Sequence, residues 1–474
     1  MILDFSKKIL NTQTKSITIA SFILGIASFV SAGLGFFRDR LLAGNFGAGD
    51  TLDIYYTAFR IPDFISMVFI MGSISAAVIP IFSQYLSNSK EEAFRFLSNL
   101  LNLFFIILIG ISFLLVIFTP QIIGLIAPGF SQEKQELTYL LTRIMFLSPI
   151  ILGISNILSS VLRVFRRFLI SSLSPILYNV GIIIGILFFY PKLGISGLAW
   201  GVVLGALLHL SIQVPILFQV GFRFKKIIDF SDPGFRRVIK LTIPRSIGLA
   251  ASQANLIVTT AIASTLAAGS IAVYSLADNL SRPFLTLIGN SFSTVAFSFL
   301  ATSFSKNNKE KFFQIFSSAF SKILIFIMPA SILLFLFRDL VVKIILKVGN
   351  FGQTDVALTA ACLGVLALGL FAQSLTLLTT KAFYAIHNTI TPAIASIIGM
   401  VANVSLALIF IKLFSFHNIF SGSIISFFGL HGLSENKVIA LPLAFVISSI
   451  IQFVILQIFF KTKINKDFKN ETHS

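Results

Sequence analysis

Runs of roughly 20 or more apolar residues recur along the whole chain, each long enough to cross a hydrocarbon core of roughly 30 Å as an α-helix. In lipid every backbone N–H and C=O needs a partner within the protein, so only helices and closed barrels can span. These runs are far longer than barrel strands, which need about 9 to 11 residues, so the expected fold is all-α and polytopic. Reading the runs as helices gives about twelve spans. In the first half they lie near Ile17 to Phe37, Ile61 to Tyr85, Phe96 to Phe118, Leu137 to Val161, Ile170 to Tyr190 and Gly197 to Val220. In the second half they lie near Leu241 to Ala267, Tyr274 to Ala301, Phe316 to Phe337, Val356 to Tyr384, Pro392 to Phe414 and Val438 to Phe460. With 56% hydrophobic residues, 11% charged residues and a mean hydropathy of +0.94, 474 residues carry too little polar surface for a soluble protein. The first run is long enough to span and stay, so no cleavable signal sequence is expected.

A net charge of +18 would suit nucleic acid, but its placement follows topology instead. Basic residues crowd alternate connections: Lys7, Lys8 and Lys15; Lys90 and Arg95; Arg163, Arg166 and Arg167; Arg223 to Lys240; Lys306, Lys309 and Lys311; Lys461 to Lys469. By the positive-inside rule both termini lie in the cytoplasm, and no nucleic-acid partner is expected. Attraction to anionic lipid is compatible with the same clusters. The one cysteine, Cys362, excludes an intrachain disulfide.

The chain also repeats itself. Gly72-Ser73 through Tyr85, then Lys90-Glu91-Glu92-Ala93-Phe94, then Gly129-Phe130-Ser131-Gln132 return as Gly289-Asn290 through Phe304, Lys309-Glu310-Lys311-Phe312 and Asn350-Phe351-Gly352-Gln353. Arg163-Val164-Phe165 with Pro175 matches Lys381-Ala382-Phe383 with Pro392, and Gly194 to Leu198 matches Gly429 to Leu433. Two copies of one hydrophobic unit around a shared site is a secondary-transporter plan. The expected domains are a six-helix lobe over 1–222, a cytoplasmic linker of interfacial, amphipathic character over 223–240, and a second six-helix lobe with a short tail over 241–474, enclosing a central cavity. A further non-spanning stretch, Ser415 to Lys437, is expected on the external side, its Ile424-Ile425-Ser426-Phe427-Phe428 core dipping into the interface. Prolines inside spans can kink their helices, and Pro62 and Pro283, which flank charged residues, are the best hinge candidates.

Charges within spans are costly and usually face the bundle interior or water. Here they are Arg38, Asp39 and Arg40 at the end of the first span, Asp53, Arg60 ahead of Pro62, Arg245 after Pro244, the pair Asp278 and Arg282, and Lys381. Arg38, Arg40 and Arg245 have snorkelling at a membrane boundary as the plain alternative. Asp278 and Arg282, four residues apart on one helical face, could simply neutralise each other. Guanidinium groups from several helices around one cavity suit a phosphate or diphosphate, whose oxygen pairs match the planar fork. No catalytic set is expected: His209, His387, His417, His431 and His473 are scattered, no repeated-Cys metal pattern exists, and no Gly-rich nucleotide loop ends in Gly-Lys-Ser or Gly-Lys-Thr. No cofactor is expected, and a proton, a metal ion, the membrane potential or the substrate gradient stays open as energy source.

Gly33 to Asp39, Phe46-Gly47-Ala48-Gly49 with Asp53, Ala58-Phe59-Arg60-Ile61-Pro62, Ala127-Pro128-Gly129-Phe130, Ser252-Gln253, Gly349-Asn350-Phe351 and Phe383-Tyr384 with Thr391-Pro392 resemble the MurJ (MviN) lipid II flippases of the multidrug, oligosaccharidyl-lipid and polysaccharide exporter superfamily. The resemblance covers nearly the whole chain. It implies a monomeric, multi-pass protein of the bacterial cytoplasmic (inner) membrane that carries a polyprenyl-diphosphate-linked glycan lipid by alternating access. On the matching positions it implies Arg38 as a diphosphate ligand, Arg60 as a cavity or gate charge, and Asp39 and Asp53 as ion-pair or gating residues. Ala32, Met67, Met71 and Asn279 depart from charged residues common in that family, and Arg245 and Arg282 are expected to restore the cavity charge. Asp278 and Lys381 complete the ion-pair or gating set. Two C-terminal spans typical of these flippases are not expected in this chain. The nearest rival is a flippase for another undecaprenyl-diphosphate-linked oligosaccharide, and a more distant one a cation-coupled drug antiporter. A membrane glycosyltransferase or phosphatase would need acidic or histidine groups gathered on external loops, which the isolated Glu133, Glu136 and Glu435 do not supply.

Overall fold

In the computed structural model, residues 17–71, 74–416, 418–430, 432–433 and 435–470 are described. The basic opening Met1 to Lys15, Gly72-Ser73, His417, His431 and His473 lie outside them, as do the side chains of Arg245, Lys461, Lys466 and Lys469. The described residues are helical, without strands. The long helices are α1 (Ile17–Phe46), α2 (Asp50–Ile65, resumed by Ile74–Asn88), α3 (Lys90–Ile117), α4 (Gln132–Val164), α5 (Phe168–Leu193), α6 (Ser196–Gln219), α7 (Pro233–Ser264), α8 (Ser270–Ser305), α9 (Lys309–Leu336), α10 (Gln353–Ala385), α11 (Ile390–Ser415) and α12 (Ala440–Asn470). Nine helices among the described residues are long and apolar enough to cross a membrane.

Contacts divide the chain into two units. One holds the chain up to Leu42 and Ile54–Gln253; the other holds Ala43–Asp53 and the chain from Ala254. The division falls inside α7, and segment 223–240 lies within the first unit, because its backbone is bonded to α3 at several points. In each unit the fourth helix of the repeat is the most enclosed: 61% of the apolar window of α4 and 78% of that of α10 are buried, against 50% or less in every other candidate span. In the first unit Phe82, Phe96, Leu97, Leu100, Ile157 and Val161 pack α2, α3 and α4 into one core.

The sequence repeat reappears as matched local chemistry. Ser89 caps α3 by accepting from Glu92 N at 3.0 Å, and Asn308 caps α9 by accepting from Lys311 N at 2.9 Å, so each satisfies an otherwise orphaned first-turn donor. α2 and α8 each contain a proline followed by a π-helical turn: Pro62 by Ser66–Met71 and Pro283 by Leu285–Asn290. A π turn absorbs the mismatch left by a missing N–H and commonly marks a functional bend. α5 and α6 meet backbone to backbone. A Cβ on Gly181 would stand 2.3 Å from Gly205 Cα, and one on Gly185 would stand 2.4 Å from Gly201 Cα. The stretch after α11 forms the short helix Ile419–Phe427, whose Phe427 and Phe428 pack on Phe335.

Candidate functional site

In the first unit the last turns of α1 carry Arg38 and Asp39. The Asp39 carboxylate is buried, and its Oδ1 accepts from Arg38 Nη2 at 2.8 Å and Nε at 3.0 Å. Arg38 Nη1 donates to Asn179 Oδ1 on α5 at 3.3 Å, and Asn179 Nδ2 in turn reaches Ser31 Oγ at 3.3 Å. A guanidinium has five N–H donors; among the described residues these bonds use three and leave two for an oxygen ligand, and the Arg38 side chain keeps 22% of its surface exposed. α2 brings Tyr55 and Tyr56 into electrostatic reach of this pair, and half-buried Arg60, one turn on, into reach of Tyr56. Tyr55 packs edge-on against Tyr56 and Phe59 at 5.6 and 5.0 Å. The Tyr56 hydroxyl is buried and has no hydrogen-bond partner among the described residues. Such a side chain has a donor to offer a polar ligand, since an unmet buried hydroxyl is costly.

In the second unit Arg282 and Asp278 lie one turn apart on α8, with Nη2 and Nε at 2.6 and 2.7 Å from Asp278 Oδ2. Arg282 keeps 49% of its side chain exposed. Lys381 on α10 donates from Nζ to Asn290 Oδ1 at 3.0 Å and to Thr294 Oγ1 at 2.5 Å. Asp53, buried, accepts from Gly269 N at 2.7 Å through Oδ2 and from Ala272 N at 2.8 Å through Oδ1, closing the N-terminus of α8. Asp355 does related work nearby. Its Oδ2 accepts from Ala48 N at 3.2 Å and Gly352 N at 3.0 Å. Asn350 N donates to Gly44 O at 2.8 Å, which fixes the last turn of α1 against the loop before α10.

Of the residues expected to act, Arg38, Asp39 and Arg60 thus gather within the first unit, while Asp53, Asp278, Arg282 and Lys381 lie within the second. Arg245 is on α7, with its side chain outside the described residues. Sequence reasoning passed over Asn179, Tyr55, Tyr56 and Asp355. A polar residue in an apolar run is the only trace that Asn179 leaves, and its partners lie 141 and 148 residues away.

A two-unit, all-helical membrane protein with arginines held inside its spans is built as a secondary transporter of the type described above, and known proteins agree. A family model described as "Lipid II flippase MurJ" matches residues 42–473, and the chain belongs to that family. It is 32% identical over 382 residues to a probable lipid II flippase MurJ of Buchnera aphidicola subsp. Schizaphis graminum, covering 80% of this chain and 74% of the relative. A probable lipid II flippase MurJ of Rickettsia prowazekii is 29% identical over 394 residues, covering 82% and 77%. A solved lipid II flippase MurJ in an inward closed conformation superposes with a TM-score of 0.74 at 28% identity, covering 94% of this chain and 89% of that one. An inward-facing multidrug resistance MATE family transporter gives the same TM-score at 15% identity over 95% of this chain and 99% of its own, a likeness of fold alone.

Proposed function

We propose that this chain translocates lipid II across the bacterial cytoplasmic membrane by alternating access, with both termini in the cytoplasm and no catalytic step of its own. Family membership supports the substrate, and one observation carries the site: Arg38 is buttressed by Asp39 and Asn179 yet retains donors unused among the described residues. A pre-oriented guanidinium binds paired oxygens with little ordering cost, which suits a diphosphate. Arg60 adds positive charge within the same unit, and Arg245 and Arg282 are further candidate substrate-binding residues. Asp39 and Asp278 hold two of these guanidiniums in place, while Asp53 and Lys381 act where helices must repack.

Complementation of a conditional lipid II flippase mutant tests the reading, paired with native mass spectrometry for retained polyprenyl-diphosphate lipid. Wild-type chain should restore growth and retain the lipid. Arg38→Ala should do neither, while remaining folded and membrane-inserted. Growth rescue by Arg38→Ala at wild-type level would remove Arg38 from the site, and failure of the wild type in both assays would remove the function.

A further inference from the structure

We infer that segment 222–240 is a rigid strap that docks on the anionic headgroup layer of the bilayer around the protein. Its backbone is laced to α3. Asn99 and Asp229 form a reciprocal pair, Asn99 Nδ2 to Asp229 O at 2.8 Å and Asp229 N to Asn99 Oδ1 at 2.7 Å. Asn102 Nδ2 donates to Lys225 O at 3.1 Å and Ile227 O at 2.9 Å, and Lys225 N donates to Ser98 Oγ at 3.2 Å. The downstream end is packed too, since Gly234 sits where a Cβ would come within 2.8 Å of the Phe96 and Tyr85 rings.

The depth of the strap follows from α3. Its exposed apolar side chains begin at Phe105 and continue through Ile106, Ile109, Phe113, Leu114 and Ile117. The strap crosses at Ser98 to Asn102, within two turns before that lipid-facing surface starts, and therefore at headgroup level. Laced this way, Phe224, Ile228 and Phe230 stay 51%, 62% and 56% exposed. Such side chains partition into the interfacial zone.

Charge selects the headgroup. The segment carries Arg223, Lys225, Lys226, Arg236, Arg237 and Lys240 against Asp229 and Asp232. Both carboxylates already accept backbone donors, Asp229 from Ser231 N at 2.8 Å and Asp232 from Phe235 N at 2.7 Å. Lys225 pairs with Glu91 at 3.0 Å. The other five form no ion pair among the described residues: Arg223, Arg236 and Arg237 hydrogen-bond only neutral oxygens, and all five are exposed. Exposed aromatic and aliphatic side chains among unpaired cations, held at the membrane boundary, match phosphate-bearing anionic lipid.

The test uses the full chain with its one tryptophan removed, Trp200→Phe, and a reporter placed on the strap as Ile228→Trp or, separately, Phe224→Trp. The protein is reconstituted in vesicles of three parts phosphatidylcholine to one part phosphatidylglycerol, with brominated acyl chains on one lipid or the other. Blue-shifted emission is expected at both positions, with quenching by brominated phosphatidylglycerol at least two-fold above its mole fraction. Combining Arg223→Gln, Lys226→Gln and Lys240→Gln should return that ratio to the mole fraction while quenching by brominated phosphatidylcholine persists. Each cation near an anionic surface changes occupancy by about five-fold. Quenching by aqueous iodide and not by bromolipid, or equal selection of both lipids, would overturn the inference. So would a reporter shielded from both quenchers by a co-purifying acidic protein.

Discussion

Asn403 donates through Nδ2 to Asn255 Oδ1 at 2.8 Å, joining α11 to α7 across 148 residues of chain, and Asn179 joins α5 to Ser31 on α1 across the same 148. Each repeat therefore clips its first helix to its fifth with one asparagine. The two clips differ in what else they hold: Asn403 also reaches Thr259 Oγ1 at 3.2 Å, whereas Asn179 also accepts from Arg38.

That difference gives the first prediction. Interhelical hydrogen bonds in membranes average about 0.6 kcal/mol and reach about 1.7. Asn403→Leu should lower the thermal midpoint in detergent by an amount equivalent to about 1 kcal/mol and leave complementation intact. Asn179→Leu should cost similar stability and also reduce complementation toward the Arg38→Ala level. Equal growth with both variants would separate Asn179 from the site.

The second concerns Asp53, whose two oxygens close the start of α8. Loss of an N-cap costs about 1 kcal/mol, close to a five-fold change in local opening. Hydrogen exchange measured by mass spectrometry on peptides covering Gly269 to Val273 should accelerate by about that factor in Asp53→Ala, and by less in Asp53→Asn, which keeps one acceptor oxygen. Unchanged exchange in both would discard the capping role.

Close approach of α5 and α6 supplies the third. Overpacking a tight interface costs about 1 to 3 kcal/mol, and the groups facing Gly181 and Gly185 are backbone atoms that cannot rotate away. Gly185→Val should reduce the yield of folded, monodisperse protein sharply. Gly110→Val, where a Cβ meets nothing within 4 Å, serves as the matched control and should express as wild type.

A fourth arises where helices end on left-handed residues that are not glycine. Arg166 has φ 58° after α4 and His387 has φ 59° after α10, each with its N–H bonded back to the last turn. A side chain in that region costs roughly 1 kcal/mol relative to glycine. Arg166→Gly and His387→Gly should each raise the thermal midpoint by a few degrees, read by differential scanning fluorimetry. A fall with both would show that these side chains contribute more than the strain they carry.

The spans were legible because a bilayer accepts so few sequence patterns, and Pro62 and Pro283 pointed to the two helices that change register. The π turns behind them were not, because a change from one helical register to another leaves no compositional mark. Arg38, Asp39, Asp278 and Arg282 stood out as charges in apolar surroundings; helical spacing suggested the pairing of Asp278 with Arg282, and the family resemblance gave Asp39 an ion-pair or gating role. Asn179 and Asn403 did not stand out, since a single amide in a long apolar run becomes informative only once the partner across the bundle is known. Asp53 was visible as a charge, but its bonds to Gly269 and Ala272 depend on a fold that unites residues 216 and 219 positions apart.

The placement of Ala43–Asp53 in the unit built mainly from the second half of the chain has a consequence for biosynthesis. Gly269 follows Asp53 by 216 residues, so at about 5 to 20 residues per second the carboxylate waits about 10 to 40 s for the backbone it will cap. During that interval the first helical hairpin is already made while its tip has no partner. Cutting the gene at the midpoint would put the cap and the helix it closes on different polypeptides, so the second half made alone would emerge with α8 uncapped.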